Sequence, residues 1–76
     1  MAKQKTHNKS ELIRKKEEVL TYGLEVFNNE KNKFQHWLES PNFALNGLKP
    51  ESLLKTLSGI QTVRNCLNKI EFGNFA

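Results

Sequence analysis

The 76-residue chain has no aspartate, two histidines and a single cysteine, Cys66. An internal disulfide is therefore excluded, and no cysteine or histidine pair has the spacing of zinc ligands. Nucleophilic catalysis needs a base and an orienting group around the nucleophile, for which few candidates exist. The four glycines stand singly, so no glycine-rich phosphate loop is present. We predict no catalytic site, no metal and no cofactor, and a protein that is not an enzyme.

Long hydrophobic runs are absent as well. No stretch of about 18 apolar residues exists, and no apolar segment follows the charges at the N-terminus, which predicts no membrane span, no secretory signal and a cytoplasmic location. Hydrophobic residues make up only 37% of the chain. A chain this short with so few apolar residues has room for one small core, so we expect a homodimer or a permanent partner.

Positive charge is concentrated at the N-terminus. The chain carries a net charge of +4, and residues 1–16 contain six basic residues and one acidic residue. The lack of periodicity over residues 1–9 predicts a basic flexible arm there, followed by one helical domain over residues 10–76. Such a segment can bind nucleic-acid phosphates or an acidic protein face, or be simply solvated. The candidate phosphate contacts are Lys3, Lys5, Lys9, Arg14, Lys15 and Lys16.

Apolar residues recur at helical spacing in the first half of the domain. The spacing predicts a helix that begins after Ser10 as its N-cap and ends near Asn28 and Asn29. Gly23 inside this helix is tolerable if it lets a neighbouring helix approach closely. A second short helix is predicted over residues 30–39, where Ser40 and Pro41 stop it.

Two further helices are predicted in the second half, after a loop over residues 41–49 that apolar side chains pin to the core. Pro50 is typical of the first position of a short third helix. Ser58 can cap a fourth helix, and Gly73 can end it as a residue in the left-handed conformation. No segment alternates with period two, so we predict an all-α bundle of about four helices.

Five of the seven aromatic residues of the chain lie after residue 33, which is many for so small a core. We expect Phe34, Trp37 and Phe43 to form part of the core. Phe72 and Phe75 flank Gly73 near the end of the chain, where a core position is harder to satisfy. These two rings are candidates for an interface with another protein.

The second half also carries an extended motif. The pattern W-L-x-x-P-N-x-A-L-x-G-x-x-P-x-x-L-L begins at Trp37, and I-E-x-G-x-F-A begins at Ile70. Over about residues 34–76 the chain resembles the toxin-binding domain of MbcA/ParS/Xre-type antitoxins. It departs from the family where Asn46 replaces a common glycine and Lys49 replaces a capping Thr or Ser. Only one predicted helix and a basic arm precede the motif, so a helix-turn-helix is not predicted.

The resemblance implies an all-helical, commonly dimeric antitoxin of a type II toxin–antitoxin pair. Its partner would be a RES-domain toxin, which is related in fold to ADP-ribosyltransferases and destroys cellular NAD. In the family the C-terminal part of the antitoxin obstructs the toxin's active-site cleft. The implied toxin contacts are Lys69, Glu71, Phe72, Gly73, Asn74, Phe75 and Ala76.

Two other functions stay open at this point. The chain can be a small nucleic-acid-binding protein that uses its basic arm, in which case its affinity should fall steeply with salt. It can also be an orphan member that kept the fold, lost its toxin and serves as a protein-interaction module.

Overall fold

The structure is a computed structural model that describes the backbone of residues 2–73 and the side chains of residues 10–73. Its α-helices are α1 (Ala2–Val26), α2 (Lys31–Glu39) and α3 (Leu57–Asn68). Two 3₁₀ helices, Phe43–Leu45 and Pro50–Leu53, lie between α2 and α3, and the π-helical segment Lys69–Gly73 continues α3. We call Lys69–Gly73 the C-terminal turn. No strand occurs over residues 2–73, so the all-α class is confirmed with three α-helices rather than four.

The first helix is longer than the sequence pattern indicated. Ser10 was expected to be its N-cap, but Ser10 lies inside α1, which begins at Ala2. Alanine, lysine and glutamine are good helix formers, and no proline or glycine interrupts residues 2–9. Whether residues 1–9 act as an arm separate from a domain of residues 10–76 stays a prediction.

The end of α1 lies where it was predicted. Asn28 and Asn29 have φ angles of 58° and 62°, in the left-handed region that asparagine tolerates better than most residues. The amide of Asn29 donates to the carbonyl of Leu24 at 2.8 Å. This turn reverses the chain, and α2 packs back against α1.

The core lies where α1, α2 and α3 meet. Its buried hydrophobic residues are Val19, Phe34, Leu38, Leu54, Ile60, Val63 and Leu67. Gly23 on α1 is also buried, and a Cβ atom there would overlap the ring of Phe34 and lie 3.2 Å from Cδ1 of Leu67. The absence of a side chain at Gly23 is therefore what allows α2 and α3 to approach α1.

The loop over residues 41–49, which we call the Phe43 loop, is held by its own backbone. The side chain of Asn42 accepts a hydrogen bond from the amide of Ala44 at 2.8 Å, and Asn42 pairs with Leu48 in an isolated antiparallel bridge. Asn46 and Gly47 both have positive φ, 59° and 83°. Leu45 is buried, so the prediction of a loop pinned to the core is confirmed.

The expected third helix is a 3₁₀ helix of four residues with Pro50 at its start and no side-chain cap from Lys49. The expected Ser58 cap is wrong, since Ser58 lies inside α3. Thr56 caps α3 instead, accepting a 3.0 Å hydrogen bond from the amide of Gly59. Thr56 has extended backbone angles, as an N-cap requires.

The expected left-handed Gly73 is also wrong. Gly73 is the last residue of the C-terminal turn, and within the described chain the glycine held at positive φ is Gly47. The last turn instead changes from α- to π-helical hydrogen bonding after Asn68, the last residue of α3.

Candidate functional site

The C-terminal turn presents most of its side chains to solvent. Lys69, Glu71, Phe72 and Gly73 are exposed, whereas Ile70 is half-buried and packs against the core. Phe72 is 67% exposed, which is unusual for so large an apolar ring. Four of the residues predicted to contact a toxin therefore come together here. The other three, Asn74, Phe75 and Ala76, lie outside the described residues.

Tyr22 on α1 ties the C-terminal turn to the helical body. Its hydroxyl lies 2.6 Å from Oδ1 of Asn68 and 2.6 Å from Oε1 of Glu71. A hydroxyl has a single proton and donates to one of these oxygens at a time. If the Asn68 amide is turned over, its nitrogen donates to the hydroxyl while the hydroxyl donates to Glu71. Both interactions are then satisfied together.

The surroundings of Tyr22 favour the neutral hydroxyl. Partial burial raises the pKa of Tyr22 above its usual 10.0, and the hydrogen bond to Glu71 and the negative charge of that carboxylate raise it further. The guanidinium carbon of Arg64 lies 5.1 Å from the centre of the Tyr22 ring. The positive charge of Arg64 lowers the pKa of Tyr22 and offsets part of this rise. Sequence reasoning missed this cluster because Tyr22 and Asn68 are 46 positions apart.

A groove of about 500 Å³ separates the C-terminal turn from the Phe43 loop. We call it the Trp37 groove. Its lining residues are Trp37, Asn42, Ala44, Cys66, Lys69, Ile70 and Gly73. Burial raises the pKa of the Cys66 thiol, and the charge of Lys69 offsets part of this rise. The Cys66 thiol is therefore protonated at neutral pH.

Phe43 is the main departure from the expected core. Phe34 is buried and Trp37 is half-buried, but Phe43 is 99% exposed. In the three-residue 3₁₀ helix Phe43–Leu45, Leu45 occupies the buried position and Phe43 faces solvent. The neighbours of Phe43, Asn42 and Ala44, line the Trp37 groove. The capping Asn42 before Phe43 indicates a tight turn, but it does not indicate which residue of the turn is exposed.

Two of the predicted phosphate contacts on α1 lie beside an acidic residue. Arg14, Lys15 and Lys16 are exposed on α1. Glu18 lies 3.9 Å from Nε of Arg14 and 3.8 Å from Nζ of Lys15. Exposed pairs of this kind are weak, but they lower the local positive charge. The side chains of Lys3, Lys5 and Lys9 lie outside the described residues, and the nucleic-acid contact stays a prediction.

Other kinds of site find no support in the described chain. Among the residues whose side chains are described, no three His, Cys, Asp or Glu residues come together in a group that could hold a metal ion. None of the described helices has the length and apolar character that a membrane crossing requires.

Comparison with known proteins identifies the family. Residues 23–73 match the model of the antitoxin Xre/MbcA/ParS C-terminal toxin-binding domain. The chain is also similar to the antitoxin Xre of Photorhabdus laumondii subsp. laumondii, with 34% identity over 68 residues that cover 90% of this chain and 46% of the relative. The chain thus spans about half the length of this curated relative. No solved structure matches the chain.

The matched region begins at Gly23, where the helices approach closely, and ends at Gly73, the last residue of the exposed C-terminal turn. It includes the Phe43 loop, the Trp37 groove and the whole of α3. The match covers well over half of the chain, and the chain belongs to the Xre/MbcA/ParS antitoxin family through its toxin-binding domain.

Proposed function

We propose that this protein is the antitoxin of a type II toxin–antitoxin pair and acts by binding its toxin. One observation carries the proposal. The region that matches a toxin-binding domain ends in a turn that exposes Phe72, Lys69 and Glu71 instead of using them in the core. Large exposed rings are typical anchors of protein interfaces.

The proposed partner is a RES-domain toxin that degrades NAD, as the resemblance to the family implies. The mechanism is steric, because α3 and the residues after it occupy the entrance of the toxin's NAD site. The proposed contacts are Lys69, Glu71, Phe72, Gly73, Asn74, Phe75 and Ala76. No catalytic group of the antitoxin is needed, since blocking a cleft requires shape and affinity only.

Phe43 extends the proposed contact surface. It protrudes from a loop whose backbone is fixed by the Asn42 cap, so little conformational entropy is lost when its ring is buried by a partner. The Trp37 groove lies between this loop and the C-terminal turn. One toxin surface can therefore contact the loop, the groove and the turn together.

We also propose a homodimer that acts in the cytoplasm. The support is the size of the core, which rests on few buried hydrophobic residues. Ile13 on α1 is 59% exposed and Leu57 at the start of α3 is 41% exposed, so apolar area is left for a second copy to cover.

Coexpression tests the proposal directly. The full chain and a variant lacking residues 73–76 are each expressed beside the RES-type toxin of the neighbouring gene, and growth and cellular NAD are followed. We expect the full chain to restore both and the shortened chain to fail. A full-length Lys31→Ala variant, changed at an exposed position on α2, serves as the matched control and should rescue.

No rescue by a folded, expressed full chain would contradict the proposal. The basic N-terminal segment would then be tested by a mobility-shift titration with duplex DNA and RNA over a range of salt concentrations. Affinity that falls by orders of magnitude between low and moderate salt would support nucleic-acid binding. If no nucleic acid binds, the orphan protein-interaction module would be the hypothesis that remains.

A further inference from the structure

The exposed C-terminal turn makes contacts with a residue far away in the sequence. The turn has π-helical hydrogen bonding, in which each bond spans one residue more than in the α-helix that precedes it. The residue at which the helix changes from α to π therefore sets the direction in which Phe72 points. Asn68 is the last α-helical residue before this change, and Glu71 lies inside the turn.

A single side chain contacts both sides of this junction. The hydroxyl of Tyr22 lies 2.6 Å from Asn68 and 2.6 Å from Glu71, although these residues follow it by 46 and 49 positions. Tyr22 is itself half-buried on α1, and Arg64 of α3 lies against its ring. Its hydroxyl is thus presented from a fixed ring to a turn that otherwise touches the core through Ile70.

We propose that Tyr22 is a positioning residue of the toxin-binding surface, and that Glu71 acts by holding the C-terminal turn through Tyr22 and not by touching the toxin. This inference rests on the proposed function. It changes the expected role of Glu71, because the carboxylate oxygen Oε1 is already engaged within the chain. Phe72 and Lys69 then provide contacts on a turn whose orientation is set beforehand, which lowers the entropic cost of binding.

A double-mutant cycle separates positioning from contact. Tyr22→Phe removes the hydroxyl and keeps the ring, while Glu71→Ala removes the acceptor. Each single change should weaken the binding of a catalytically inactive RES-type toxin about fivefold, as expected for one lost hydrogen bond. The double variant should lose no more than the larger single loss, since both changes break the same contact. Isothermal titration calorimetry measures all four affinities.

Two further variants sharpen the cycle. Glu71→Gln keeps an oxygen that accepts from Tyr22, so it should bind within about twofold of the wild type, whereas a contact that needs the negative charge would be lost. Glu39→Ala is the matched control. It removes an exposed carboxylate on α2 that accepts a 2.7 Å hydrogen bond from Gln35, and it should leave toxin affinity unchanged.

The free protein provides an independent readout, because Tyr22 is the single tyrosine of the chain. Its ionisation is followed by ultraviolet absorbance, and the titration should lie above the usual value in the wild type and shift down in Glu71→Ala. The positioning role alone would be overturned if Tyr22 titrates identically in the wild type and in Glu71→Ala. It would also be overturned if the losses of toxin-binding free energy in the two single variants add up in the double variant. A wild type that does not bind the toxin overturns the proposed function together with this role.

Discussion

The Phe43 loop and the C-terminal turn each expose a phenylalanine next to residues that line the Trp37 groove, but they are held in different ways. The loop is held by contacts within ten residues, namely the Asn42 cap, the Asn42–Leu48 bridge and the left-handed Asn46 and Gly47. The turn is held by Tyr22, which is 49 positions away from Glu71. Local hydrogen bonds set the backbone shape of the loop and buried Leu45 anchors it to the core, whereas the turn has its orientation only when α1 and α3 are packed together.

This difference predicts how the two regions respond to damage. The loop should keep its shape as long as its own residues are intact. The turn should change whenever the contact between α1 and α3 changes.

The largest effect is expected at Gly59, which packs near the start of α3 against the backbone of Leu53. A Cβ atom at Gly59 would overlap the backbone carbonyl of Leu53, and a backbone atom cannot move aside as a side-chain end can. We expect Gly59→Ala to lower the free energy of unfolding by about 3 kcal/mol, at the upper end of overpacking costs. Urea unfolding followed by the fluorescence of Trp37, the single tryptophan, measures it. Ser58→Ala, at an exposed neighbouring position, is the control and should change stability little.

The next test compares the two ends of the 3₁₀ helix in the Phe43 loop. Leu45→Ala removes a buried side chain and should cost about 2 kcal/mol of folding stability or more. Phe43→Ala removes a 99% exposed ring and should leave stability within about 0.5 kcal/mol of the wild type. The folded Phe43→Ala protein should bind the toxin more weakly. The free energy of binding should fall by about 2 kcal/mol if the ring is a buried anchor of the interface. Unchanged affinity in calorimetry would remove Phe43 from the proposed surface.

A third test compares the supports of the two regions. Asn42→Ala removes the cap of the Phe43 loop and should cost about 1 kcal/mol of stability, a typical value for a lost cap. Tyr22→Phe removes the contacts of the hydroxyl with Asn68 and with exposed Glu71 and should cost less. The effects on amide hydrogen exchange should be separate, with faster exchange in the loop for Asn42→Ala and in the turn for Tyr22→Phe. Faster exchange in both regions for either variant would contradict separate support.

The same distinction explains what could be predicted from the sequence. The helical class, the end of α1 at Asn28 and Asn29, and the pinned loop follow from local chemistry and were predicted. The Thr56 cap was missed in favour of Ser58, because two capping residues two positions apart look alike until backbone angles are known. Local spacing also predicted a start of α1 at Ser10, although the helix formers before Ser10 extend it.

The candidate site was only partly predictable for the same reason. Its exposed C-terminal residues were named through the family resemblance, and Lys69, Glu71 and Phe72 are indeed exposed. Phe43 was assigned to the core because composition favours burying aromatic rings, and composition does not show which residue of a three-residue turn faces inward. Tyr22, Arg64 and Asn68 carried no signal, since nothing local marks a side chain that will meet another helix.

The smallest effect is expected at Cys66, which reports on the Trp37 groove between the two regions. Burial raises the pKa of its thiol, so the reactive thiolate is scarcer than in a free cysteine at pH 8. Alkylation by iodoacetamide at that pH should therefore be severalfold slower than for free cysteine, and bound toxin should slow it again by covering the groove. Above the pKa of a free thiol, a further rise in pH no longer speeds the alkylation of free cysteine. It should still speed the alkylation of Cys66, because the pKa of Cys66 is higher. An equal rate with and without bound toxin would show that the toxin contacts the turn or the loop but leaves the groove between them open.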